Sequence, residues 1–140
     1  MMSMKWILLI VEDETFRTES VNYAVNLAKR INCSISVLML TTNKDQAGNP
    51  FISEPEIVKK VLNIIKAKGV NTQGISRSGD KASELLKHLT TYPSFEAVIW
   101  GGKEKISLEH SRKKTDHWLA KIKTTIQCPV INPTKKRKKT

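Results

Sequence analysis

No stretch of this chain approaches the ~18–20 consecutive apolar residues that a membrane span requires. The first apolar run, Trp6 to Val11, stops at three acids. It is too short for the core of a secretion signal, and nothing after it looks like a cleavage site, so the expected location is the cytoplasm. Cysteine is nearly absent. Cys33 and Cys128 stand alone, in neither a CxxC nor a Cys/His metal spacing, and both lie beside apolar runs, where a free cysteine behaves as a small hydrophobe. His88, His110 and His117 show no ligand spacing with acids or cysteines and read as surface or helix residues. No Ser/His/Asp or Cys/His arrangement can be read from the spacing, so the expectation is a protein that is not an enzyme and holds no metal. There is no internal repeat and no linker. The 140 residues are expected to form one domain over residues 1–133.

Acids are scarce, with 13 against 24 lysines and arginines, for a net charge of +11. The excess is uneven. Lys135 to Lys139, "KKRKK", contributes five charges and leaves +6 elsewhere. Residues 134–140 therefore read as a basic, disordered tail, with contact to nucleic acid the alternative.

What is present alternates regularly. Trp6–Val11 is an unbroken apolar run of strand length, as a central parallel strand buried on both faces would be. From Thr15 to Ile31, Val21, Ala24, Val25 and Ala28 fall on one helical face. Ile35–Leu40 is a second strand. A helix with Pro55 in its first turn runs to Gly69, a C′ glycine. Val70–Ser76 is a weaker strand, Asp80 is an N-cap for a helix from Lys81 to Thr91, and Phe95–Trp100 is a fourth strand. Asp116 caps a helix carrying Trp118, Leu119, Ile122 and Ile126, and Pro129–Asn132 is a short last strand. The order β-α-β-α-β-α-β-α-β implies an α/β fold, a Rossmann-like, doubly wound, parallel five-stranded sheet with helices on both faces. Such sheets bind ligands at the carboxyl ends of their strands, so the loops after strands one, two and four are the ones to watch.

The stretch "WILLIVEDETF" resembles the opening of a response-regulator receiver, whose acids hold Mg²⁺ beside a phosphorylatable Asp. The other receiver positions are not filled. The third strand ends Ile75-Ser76-Arg77 without an Asp, the fourth ends Trp100-Gly101-Gly102 without a hydroxyl, and Asn132-Pro133 stands where Lys-Pro belongs. A single acidic cluster does not supply the converging oxygens of a metal site.

From Lys5 to Pro133 the chain resembles the universal stress protein family. The opening strand, acid and Tyr23-Ala24 helix carry this, with "SGDKASELLKHL", "FEAVIWGG" and "IKTTIQCPVINP" in the right order. In the second motif Lys81 replaces the family's proline. The resemblance implies a stress-response or regulatory domain that acts through a protein partner. It also implies a homodimer, paired through the last strand at Val130 and Ile131. Pro129 and Pro133 equally suit ordinary edge protection there.

One branch of the family binds ATP through Gly-x-x-Gly and a later Gly-Ser/Thr. Here Gly101 is kept and the next glycine is Glu104. The last pair falls on Lys114-Thr115 counted forward, or on Asp116-His117 counted back from Cys128-Pro129. The resemblance thus implies weak or lost ATP binding and no other cofactor. The alternative is an ATP- or AMP-binding member using Glu12 or Asp13, Leu40, Gly101, Gly102 and Thr115, with Lys103, Lys105, Arg112, Lys113 and Lys114 replacing the glycine cradle as point charges. That basic loop is otherwise a solvated one. Glu12 and Asp13 have a second reading as capping acids for the helix that begins near Thr15.

Overall fold

The computed structural model describes residues 5–12, 16–41, 56–92, 94–102 and 118–133. Five parallel strands form one sheet in the order β3-β2-β1-β4-β5. They are β1 (Trp6–Glu12), β2 (Ser34–Thr41), β3 (Thr72–Ser78), β4 (Phe95–Trp100) and β5 (Val130–Ile131). The helices between them are α1 (Thr18–Ile31), α2 (Glu56–Ala67), α3 (Lys81–Thr91) and α4 (Trp118–Ile122). Rossmann-like alternation was legible from the apolar pattern, and the topology agrees with it.

β1 lies at the centre, paired with β2 on one side and β4 on the other. Ile7 to Val11 are all fully buried. Alternation along the strand divides them. Ile7, Leu9 and Val11 join a core with Val21, Val25, Val58 and Ile65 of α1 and α2. Leu8 and Ile10 join a second core with Leu85 of α3 and Leu119 of α4. A strand buried on both faces has no polar side, which is why the run carries no alternation in sequence. Truncating any of these aliphatic residues to alanine removes packing with no solvent to compensate, at a cost of about 2–5 kcal/mol.

Helix ends follow the local chemistry. The Asp80 carboxylate accepts the Ser83 amide at 3.0 Å and caps α3. The Ser83 hydrogen bonds hold Asp80 below the usual carboxylate range. α2 closes with a Schellman arrangement. Gly69 adopts φ +83°, its N–H donates to Lys66 O at 2.9 Å, and Val70 N–H reaches back to Ile65 O at 3.4 Å. The Val70 and Ile65 side chains are then buried in the same core.

Some boundaries move. α1 starts at Thr18, not Thr15, with Arg17 as its N-cap residue. β3 runs two residues later than its apolar pattern suggested, because its register follows β2, with Ile35 opposite Thr72 and Thr41 opposite Ser78. α4 gives way at Lys123 to one turn of 3₁₀-helix, so Ile126 packs from beyond the helix. Pro55, Asp116, the basic loop and the basic tail lie outside the described residues.

Candidate functional site

The chain leaves β1 for β2 on one side and later returns to β4 on the other. The order of strands therefore reverses between β1 and β4, and their carboxyl ends are where sheets of this kind bind ligands. Alternation decides which face each residue takes there. Glu12 follows Leu8 and Ile10 onto the face covered by α3 and α4, away from α1. It is 8% exposed. The Lys81 ammonium, from the first turn of α3, donates to Glu12 Oε2 at 2.5 Å. The Trp118 indole N–H, from the start of α4, donates to the same oxygen at 3.3 Å. The acid, the ammonium and the indole thus tie β1, α3 and α4 together at the switch in strand order.

This overturns the capping role for Glu12. α1 has no side-chain cap hydrogen bond, and its N-terminus lies on the opposite face of the sheet. An acid one step along the strand would point the other way, but Asp13 lies outside the described residues. The receiver reading fails again in three dimensions, since the position beside Glu12 is held by a lysine and Asp80 is engaged in capping α3. Among the described residues, no group of three His, Cys, Asp or Glu side chains is placed to hold a metal ion.

Leu40 is the ladder partner of Glu12 and is fully buried. Gly101 ends β4 at the same edge. Its N–H donates to Ile10 O at 2.6 Å, and its carbonyl accepts the Arg17 amide at 2.8 Å. A Cβ at Gly101 would stand 2.8 Å from Ile10 O, and one at Gly102 would stand 2.6 Å from the Trp100 ring. Both glycines are thus required by packing whether or not a ligand is present. The Trp100 and Trp118 rings meet edge to face at 5.9 Å. Glu12, Leu40, Gly101 and Gly102 are therefore brought to one edge of the sheet, and Thr115 lies outside the described residues.

Three further residues complete the edge: Lys81, Trp118 and Arg17. Arg17 Nη2 donates to Asn132 Oδ1 at 2.9 Å, so one residue joins the end of β4 to the segment after β5. Burial lowers the Arg17 guanidinium below its usual value, partly countered by Glu19. The one sequence signal for Lys81 was its substitution for a proline. Trp118 carried none, because its helix position alone made it a core residue.

A second polar cluster lies under α3. His88 was read as a surface or helix residue; it is helical but fully buried. Arg77 Nε donates to its Nδ1 at 3.2 Å, and Arg77 Nη1 pairs with Glu84 at 3.4 Å. Tyr92 and Phe95 pack on the imidazole at 4.9 and 5.9 Å. Burial, then the neighbouring Arg77 charge, push its pKa down to about 4. Cys33 and Cys128 pack against the two cores as small hydrophobes, and burial raises both thiols.

No family model and no curated protein matches the sequence. Solved structures do. A universal stress protein from Archaeoglobus fulgidus superposes with TM-score 0.65 at 12% identity, over 91% of this chain and 93% of the other. The universal stress protein from Archaeoglobus fulgidus in complex with dAMP gives TM-score 0.63 at 12% identity, over 91% and 98%. A universal stress protein family protein from Arabidopsis thaliana with AMP bound gives 0.56 at 13%, over 94% and 91%. This chain has the fold of the universal stress proteins.

Proposed function

We propose that this chain is a non-enzymatic, universal stress protein-like regulatory domain whose nucleotide site is closed by its own side chains, leaving ATP binding weak or lost. One observation carries the reading. Glu12, one of the two acids that can correspond to the family's nucleoside-holding residue, is already engaged, with Lys81 on one side and the Trp118 indole on the other. Lys81 is also one of the residues that depart from the family pattern, beside the missing glycines. As the first residue of α3 it occupies a position where proline is readily accommodated, so the lysine is not required by the helix. The departure in sequence and the plug in space are the same residue.

Function then passes to a protein partner, with the chain acting as a cytoplasmic homodimer. β5 is one of the two edge strands of the sheet and the one we assign to pairing, with Val130 and Ile131 half-buried. The runner-up is nucleotide binding at Glu12 or Asp13, Leu40, Gly101, Gly102 and Thr115, of which Asp13 and Thr115 lie outside the described residues. The AMP and dAMP complexes of proteins with this fold favour it. Calorimetric titration with Mg-ATP separates the two. The wild-type protein is expected to show no binding in the micromolar range, and Lys81→Pro, which keeps the helix start and removes the ammonium, is expected to gain affinity. Micromolar binding by the wild type would refute the closed site.

A further inference from the structure

The opposite end of the sheet holds a cavity of about 220 Å³, lined by Trp6, Ser36, Gln73, Thr91, Tyr92, Ser94 and Phe95. Trp6 and Glu12 are the two ends of β1. At ~3.3 Å per residue, this cavity lies about 20 Å from the switch in strand order. It is therefore separate from the site described above.

Its floor departs from the face to which it belongs. The α3-side face of the sheet is built from Leu8, Ile10, Leu38, Leu40, Ile75, Val98 and Trp100. At the amino-terminal end two polar residues interrupt it, Ser36 of β2 and Gln73 of β3, and these are direct ladder partners. Ser36 is 2% exposed and lines the cavity. A valine or leucine at this position would continue the apolar face and fill the space. Thr91 donates its hydroxyl to Lys87 O at 3.1 Å.

We propose that this cavity binds a neutral, planar heteroaromatic compound carrying both a hydrogen-bond donor and an acceptor. Three observations define the class. Trp6, Tyr92 and Phe95 contribute aromatic surface, which favours a flat ring by stacked or edge contacts. The Ser36 hydroxyl and the Gln73 amide each donate and accept, so they complement a ring edge that does both. Among the described residues none that lines the cavity is charged, so an ionic ligand would lose its hydration without a counter-charge from them. The size fits as well. A dry cavity of ~150 Å³ holds benzene, so this volume takes a fused two-ring compound.

The test uses the full chain and quinolin-2-one, a neutral bicycle with adjacent N–H and C=O groups, with naphthalene as the isostere lacking both. Binding is followed by amide chemical shifts in two-dimensional NMR. Saturable submillimolar binding of quinolin-2-one is expected, with shifts at Ser36, Gln73 and Phe95. Naphthalene should bind about tenfold more weakly, the loss expected when buried polar groups are left unpaired. Ser36→Leu fills the floor and should abolish binding. Gln73→Val, at an exposed position where folding is not at risk, should weaken quinolin-2-one and leave naphthalene unchanged. Mg-ATP should not compete, since its site lies at the other edge. No saturable binding to the wild type, shifts confined to the Glu12 edge, or equal affinity in the Gln73→Val protein would overturn the proposal.

Discussion

Lowering the pH should weaken the fold through one residue, His88. Its imidazole is fully buried in α3, and its Nδ1 accepts a hydrogen bond from the half-buried Arg77. In the neutral ring the hydrogen then sits on Nε2, which is buried without a partner. Protonation of Nδ1 would destroy the Arg77 bond and set a second cation beside the guanidinium. Burial of the charged form first, and then the neighbouring Arg77 charge, hold the pKa at about 4, against 6.5 for an ordinary histidine. The groups facing the ring are Arg77 from β3, with Glu84 pairing to it, and the Tyr92 and Phe95 rings.

The sign follows from proton counting. Between pH 6.5 and about 4 the unfolded chain binds a proton that the folded chain refuses. Stability is therefore present in full above the unfolded value and falls as the pH drops through this window. At 1.36 kcal/mol per pH unit, the gap amounts to about 3 kcal/mol. Urea denaturation at intervals from pH 7.5 to 4 measures it, with His88→Gln as the comparison. Glutamine keeps an acceptor for Arg77 but does not titrate, so carboxylate contributions common to both proteins cancel. The wild type should lose about 3 kcal/mol more than the variant over this range. Parallel curves, or a His88 imidazole titrating near 6.5 by NMR, would refute the reasoning.

Other outcomes follow from the same contacts. Lys81→Met should destabilise by about 3–5 kcal/mol in urea, because it removes the counter-charge of the buried Glu12 carboxylate, whereas the Glu12→Leu, Lys81→Met pair should be near neutral. A fully additive double-mutant cycle would contradict a coupled ion pair. Gly102→Ala should lower stability by about 1–3 kcal/mol, since its Cβ would press on the Trp100 ring, and thermal melting would register this without any nucleotide. Gly69→Ala meets open space but must hold φ +83°, so it should cost about 1–2 kcal/mol through backbone strain alone. Ile131→Lys should shift a dimer to monomer in sedimentation if β5 is the pairing edge. An unchanged mass would place the interface elsewhere.

Element order was legible because the strongest sequence signals are local. Ile7 to Val11 is apolar without alternation because both faces of β1 are covered, and Gly69 and Asp80 mark helix ends by backbone geometry and short-range hydrogen bonding. The boundary of β3 was less legible. Gln73, Gly74 and Ser76 give it a weak apolar pattern, and its span is set by pairing with β2. The sequence reads His88 as a surface or helix residue; it is helical, but its burial was not legible because nothing local shows that Tyr92, Phe95 and Arg77 close over it.

The site shows the same division. The sequence alone determined that acids stand after the first strand, that glycines follow the fourth, and that a lysine stands at the head of the third helix, where the family resemblance implies a proline. Each is a statement about one segment. That the lysine meets the acid required residues 69 positions apart to reach one edge of the sheet, and the Trp118 indole comes from 106 positions away. Only the tertiary structure decided this, because alternation along β1 selects the face for Glu12 and the strand order brings α3 and α4 to that face. The buried hydroxyl of Ser36 likewise acquires meaning only once Gln73 and the aromatic residues surround it.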